Sequence, residues 1–134
     1  EMAEVFSLNS KIKFIGLRFF TVYGPWGRPD MMMIKYIFNS INNKKFELFN
    51  HGNHTRDFTY IDDIVSGVIK VIDNPAQRNK DWTGKNPDPS SSRAPWKVYN
   101  IGAQTPVHLL TYIETLEKAL GKEAEKEMLP MQMP

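Results

Sequence analysis

Phe14-Ile15-Gly16-Leu17-Arg18-Phe19-Phe20 runs straight into Thr21-Val22-Tyr23-Gly24-Pro25-Trp26-Gly27-Arg28-Pro29-Asp30, and this change from apolar run to turn decides the fold class. The first part is aromatic and aliphatic without polar alternation, the pattern of a strand covered by helices on both faces. Arg18 within it then needs a partner or a route to water. The second part contains two glycines and two prolines and reads as a loop. Far along the chain, Lys97-Val98-Tyr99-Asn100-Ile101-Gly102 restores a strand pattern. The two strands are expected to be parallel neighbours. The segment between them then stands over their C-terminal ends, the usual ligand side of an open sheet.

Helical patterns fill much of the remainder. Glu1 to Ser10 suits the end of a helix with Met2, Val5 and Phe6 on its apolar face. Asp30 is the expected N-cap of a second helix, in which Met33, Ile34, Ile37, Phe38 and Ile41 form one face ending near Asn42-Asn43. Phe46-Glu47-Leu48-Phe49 reads as a short strand, Asn50-His51-Gly52-Asn53 as a turn, and residues 55–58 as extended. Thr59 and Asp62 have capping-box spacing ahead of the stripe Ile61, Ile64, Val65, Val68 and Ile72, which stops at Asn74-Pro75. Residues 76–95 are polar and read as a long surface loop. Thr105 and Pro106 are predicted to open a last helix, with Leu109, Ile113, Leu116 and Leu120 inward and Gly121 just past its end. No pattern follows Lys122. The order of elements is that of an α/β protein, with no internal repeat and no second domain.

With 134 residues, 41% of them hydrophobic and 24% charged, the chain has the composition of a globular domain. A net charge of +2 without a Lys/Arg stripe gives no basis for a nucleic-acid partner. The absence of cysteine excludes disulfides and thiolate chemistry. No apolar run reaches the roughly 20 residues needed to span a bilayer, and Glu1-Met2-Ala3-Glu4 lacks the basic start of a secretory signal, so a cytoplasmic location without membrane insertion is the expectation.

Arg56 is the foremost binding candidate, because a guanidinium can grip a phosphate with two parallel hydrogen bonds and a helix start follows in sequence. The competing reading pairs Arg56 with Asp57, Asp62 or Asp63. Arg28, a planar cation on a stiff turn, suits an anionic group such as a carboxylate, and Thr21 offers a hydroxyl at a strand end. Both could equally be ordinary loop residues. Tyr23, Tyr60 and Tyr99 read as packed aromatics, since none has a lysine four residues later. His51 and His54 flank a turn without an evident third ligand, so no metal site is predicted. Met31, Met32 and Met33 suit uneven core space.

Three blocks together, Gly16 to Met31, Arg56-Asp57-Phe58-Thr59-Tyr60-Ile61-Asp62-Asp63 and Val98-Tyr99-Asn100-Ile101-Gly102, resemble the NAD-dependent epimerase/dehydratase family of extended short-chain dehydrogenases. The likeness is strongest to the branch of UDP-glucuronate 4-epimerases that serve bacterial capsule and surface polysaccharides. The resemblance implies an α/β fold combining strands of a partial Rossmann-type sheet with a substrate-binding subdomain, over residues 1–134. The family's catalytic Tyr with Lys four residues onward, and its Gly-rich NAD-binding turn, have no counterpart here. No catalytic residue is therefore assigned, and the chain is expected to be a C-terminal part that is inactive alone.

By the same resemblance, Arg56 matches the arginine of the nucleotide diphosphate, and Arg28 the residue meeting the substrate carboxylate. Thr21 stands where many relatives have Asn, which points to the uronate branch, with contact to sugar or diphosphate. Phe20 and Val22 match the strand end beside the nicotinamide of NAD. The implied reaction oxidises C4 of a UDP-sugar reversibly, rotates the 4-keto sugar and returns hydride to its other face, turning UDP-glucuronate into UDP-galacturonate. Apart from a larger sheet, the strands at residues 14–20 and 98–101 would expose apolar surface or unpaired edges, so a homodimer or a rearranged packing is expected. A related dehydratase or decarboxylase, and a non-catalytic nucleotide-sugar binding module, are the alternatives.

Overall fold

A computed structural model describes residues 2–10 and 12–132, so Glu1, counted in the predicted first helix, lies outside the described residues. In chain order the elements are α1 (Met2–Ser10), β1 (Phe14–Phe19), β2 (Thr21–Tyr23), α2 (Met32–Ile41), β3 (Phe46–Leu48), β4 (Thr55–Tyr60), α3 (Ile61–Asp73), β5 (Trp96–Ile101), β6 (Pro106–His108), α4 (Leu109–Leu120) and β7 (Lys126–Met128). Although the sequence suggests no second domain, the contacts gather into two compact units, Glu1–Phe20 with Thr59–Gly102, and Thr21–Phe58 with Ala103–Pro134.

The first unit holds the predicted parallel pair. β1 and β5 run in register from Phe14 opposite Trp96 to Phe19 opposite Ile101. Gly67 lets α3 lie close to β5, since a Cβ there would sit 3.0 Å from Ile101 Cδ1. Ser7 of α1 is buried, and its hydroxyl reaches the carbonyls of Ile12 at 2.6 Å and Pro95 at 3.1 Å. The expectation that β1 is covered on both faces is not met. Its residues are half-buried to exposed, and Arg18 reaches water directly. Two strands offer too little partner surface, which also leaves Val65, Ile69 and Ile72 of α3 exposed, Ile72 to 71%.

Residues 76–95 are less exposed than a surface loop should be, with Ala76, Ser92 and Ala94 buried. Side-chain turns make this possible by satisfying backbone groups locally. The Asp88 carboxylate accepts from the Ser90 N–H at 2.8 Å and the Ser91 hydroxyl at 2.5 Å, while Val98 N–H donates to Ser90 O at 2.8 Å.

In the second unit, strands stand in the order β2-β4-β6, and β3 pairs in parallel with β7. The core gathers Tyr36 of α2, Phe46 and Leu48 of β3, Leu109 and Ile113 of α4, and Ala124. Strand β7 falls where no pattern was legible, because its side chains are partly buried or exposed and its pairing with β3 supplies the order. β2 likewise occupies a stretch read as loop, held by β4.

Three helix starts differ from the prediction. α2 begins after Met31 rather than Asp30, whose carboxylate is taken by Arg28. β4 extends through Thr59 to Tyr60, so the N-cap position of α3 falls on Tyr60 and no side-chain capping bond forms there. Pro106 to His108 joins β4 as antiparallel β6, displacing the start of α4 to Leu109 with His108 as its N-cap. In each case a strand ladder or ion pair outweighs a local cap worth about 1 kcal/mol. At the other end of α4, Gly121 has the predicted left-handed conformation, φ 63°.

The turn at Phe49–Gly52 carries three successive positive φ values, at Asn50, His51 and Gly52. Glycine is required at the last of these. Its φ is +74°, and a Cβ would lie 2.6 Å from Leu110 Cδ2. Gly52→Ala is expected to destabilise the second unit by about 2 kcal/mol, combining left-handed strain with overpacking. A urea titration would check this, and an unchanged midpoint would show that Leu110 yields without cost.

Candidate functional site

The pleat of β4 builds the site. Side chains two residues apart share a face of an extended chain, and His54, Arg56 and Phe58 all line one cavity of about 320 Å³ in the second unit. Thr21 of β2 and Glu47 of β3 add the other polar groups. Met31, Met32, Phe46, Leu48, Phe49 and Leu109 supply apolar walls. Phe58 is held flat by Tyr112, with ring centroids 3.8 Å apart and planes 9° apart. The Tyr112 hydroxyl in turn donates to Met33 Sδ at 2.8 Å. Burial, followed by the nearby Tyr23, pushes the Tyr112 phenol up to about 12, so it stays protonated as packing behind the cavity wall.

The same alternation turns Asp57 to the other face. Its carboxylate accepts the Ala103 N–H at 3.1 Å and the Gln104 N–H at 2.9 Å, which stabilises the positive φ of 58° at Gln104. Asp57 is thereby engaged elsewhere. Among the described residues Arg56 forms no ion pair with Asp57, Asp62 or Asp63, and its guanidinium donates to the Thr55 carbonyl at 3.0 Å. A cation on a cavity wall without a carboxylate partner is suited to an anionic ligand.

Of the predicted binding residues, the structure brings Thr21 and Arg56 to one cavity, while Arg28 is not on its lining. The Arg28 fork instead meets Asp30 through Nε at 3.0 Å and a terminal nitrogen at 2.9 Å, on a surface where the Arg28 side chain is 73% exposed. Phe20 is half-exposed at the end of β1, its N–H bonded to Ile101 O at 3.0 Å. Val22 sits half-buried in β2. His54 enters as a cavity residue rather than as a metal candidate, a placement readable from its spacing of two before Arg56. Among the described residues no group of three or more His, Asp or Glu gathers as for a metal, and no helix is long and apolar enough to cross a membrane.

Residues 1–102 match the profile described as the NAD dependent epimerase/dehydratase family, and the chain belongs to that family. It is 50% identical over 131 residues to Protein CapI of Staphylococcus aureus, covering 98% of this chain and 39% of that protein. It is 42% identical over 132 residues to a probable UDP-glucuronate 4-epimerase of Rhizobium meliloti, again covering 98% and 39%. Among solved structures, the UDP-glucuronic acid 4-epimerase of Bacillus cereus in complex with UDP-glucuronic acid and NAD is similar with a TM-score of 0.73 and 35% identity, over 95% of this chain and 35% of that one. The chain thus spans about two fifths of the length of these curated relatives. The mixed arrangement of strands and helices is that of the core of extended short-chain dehydrogenases.

Proposed function

We propose that this chain anchors the nucleotide sugar in an NAD-dependent 4-epimerase acting on UDP-glucuronate and yielding UDP-galacturonate for surface polysaccharide. The observation that carries the reading is Arg56, on the wall of a cavity and without an acidic partner among the described residues. Similarity to the Rhizobium and Bacillus proteins supports the choice of substrate. The cavity volume lies at the small end of the range for ligand sites, roughly 300 to 1,000 Å³, and suits part of a nucleotide sugar rather than the whole.

In this reading Arg56 binds the diphosphate and Thr21 donates to a sugar or phosphate oxygen, which anchors the nucleotide while the 4-keto sugar turns. Arg28 meets the sugar carboxylate by exchanging it for Asp30, since an exposed ion pair is weak and screened. NAD supplies reversible hydride acceptance when bound. By the family resemblance Phe20, half-exposed just past β1, and Val22 of β2 are each assigned apolar contact with the dinucleotide. The phosphate cradle and the general base are absent from the 134 residues, which contain neither Gly-x-Gly-x-x-Gly nor Tyr with Lys four residues later. Residues 1–134 therefore act as the substrate-binding subdomain together with two sheet strands. The exposed apolar residues of α1 support a homodimer, and the reading places the protein in the cytoplasm without a nucleic-acid partner.

The test is product identification. A full-length polypeptide carrying this chain, incubated with UDP-glucuronate and NAD, is expected to give UDP-galacturonate by NMR. A decarboxylated pentose or a deoxy sugar as sole product would replace the epimerase reading with that of a related decarboxylase or dehydratase.

A further inference from the structure

We propose that His54 is a second nitrogen donor to the diphosphate. The inference rests on the reading of Arg56 as the diphosphate anchor. Three observations support it.

First, His54 and Arg56 lie two residues apart along extended chain and line the same cavity. Two donors at this spacing can meet the two phosphoryl groups of a diphosphate, whereas one arginine fork is filled by a single phosphate. Second, the imidazole is spare. The backbone alone holds His54 in place, its N–H donating to Gly52 O at 2.8 Å and its carbonyl accepting from the Leu109 N–H at 2.8 Å. No described residue hydrogen-bonds the ring. Third, the formal charges on the cavity wall cancel, so nothing there already offers a net attraction for an anion. Arg56 from β4 and Glu47 from β3 are the charged residues on the lining. α2, β2 and α4 contribute no charged side chain to it. His108 of β6 is engaged with Asn53 at 3.4 Å, and Asp57 is held by Ala103 and Gln104. An imidazole N–H at position 54 therefore adds a donor to a wall whose formal charges cancel.

The test uses the full-length protein with UDP-glucose, whose diphosphate is a diester, and with UMP as the single-phosphate comparison. His54→Ala is expected to weaken UDP-glucose binding about tenfold while leaving UMP binding within about twofold. His54→Gln, which keeps an N–H donor on the cavity wall, is expected to recover part of the UDP-glucose affinity lost in His54→Ala. The melting temperature of both variants should match the wild type, since the lost atoms make no internal hydrogen bond. Equal loss for UMP and UDP-glucose in His54→Ala overturns the inference. Arg56→Ala serves as the control. If it weakens binding while His54→Ala does not, the role of His54 alone fails, and if neither variant has an effect, the assignment of the cavity to the diphosphate fails with it.

Discussion

Arg56→Ala is expected to weaken UDP-glucuronate binding by the full-length protein about 100-fold, the loss of roughly 2 to 3 kcal/mol that follows removal of a charge-assisted contact to phosphate. The size of the effect follows from where the guanidinium stands. A surface arginine paired with a carboxylate would give up that pair on binding, and its net contribution would be small. Arg56 has no such pair among the described residues, and the acid beside it, Asp57, is bound to two backbone N–H groups on the opposite face of β4. Arg56→Lys keeps the charge but loses the planar fork, so it should recover part of the affinity and not all. Calorimetry with both variants decides the matter. Fold stability should be unaffected, because the internal bond given up goes to the Thr55 carbonyl at an exposed position. Wild-type affinity in Arg56→Ala would remove the anchoring role.

The second large effect is expected at Glu117, a charged residue in α4 that the helical pattern places on the apolar face. It is 9% exposed. Its carboxylate accepts from the Tyr36 hydroxyl and pairs with Lys126 Nζ at 2.5 Å, while the Ala124 N–H donates to the Tyr36 oxygen at 3.3 Å. One acid thus ties α2, α4 and β7 together. Burial alone would raise the Glu117 carboxyl, but the hydrogen bonds from Lys126 and Tyr36, with the lysine charge, outweigh it and hold the group below its ordinary value. Burial alone would lower Lys126, and the hydrogen bond to Glu117 leads the contributions that raise it instead.

Glu117→Ala leaves Lys126 and the Tyr36 hydroxyl without their acceptor. The expected cost is about 2 kcal/mol, between the roughly 1 kcal/mol of an exposed pair and the 3 to 5 kcal/mol of breaking a buried one, since the lysine side chain retains 24% exposure. Because the folded value of Glu117 is depressed, its stabilisation is complete above the unfolded carboxylate value near about 4.3 and is lost as pH falls through the lower folded value. The raised Lys126 acts in the opposite sense, contributing fully below about 10.4 and losing its effect as pH rises through the folded value. Denaturation midpoints measured across pH should therefore form a plateau from weakly acidic to weakly alkaline pH. Glu117→Gln should lower that plateau and flatten its acid side. An acid limb unchanged by Glu117→Gln would show that the carboxylate carries no net stabilisation.

By itself the sequence determined the elements whose information is local. The apolar runs of β1 and β5, the stripes of α2, α3 and α4, and the glycine ending α4 all follow from periodicity and backbone preference within a few residues. It also singled out Arg56, because a cation just before a helix in a family-like block is visible without knowing its surroundings. Tertiary structure decided which charges remained available. Asp57 turned to the 103–104 backbone, and Glu117 went inside to meet Tyr36, 81 residues away. It likewise moved Pro106 to His108 from a predicted helix start into a strand and gave residues 126–128 their order through β3. The physical reason is that periodicity sets which face a side chain shares with its neighbours. The free energy of a charged group depends on the partner across the cavity or core, and that partner is brought there by parts of the chain with no local relation to it.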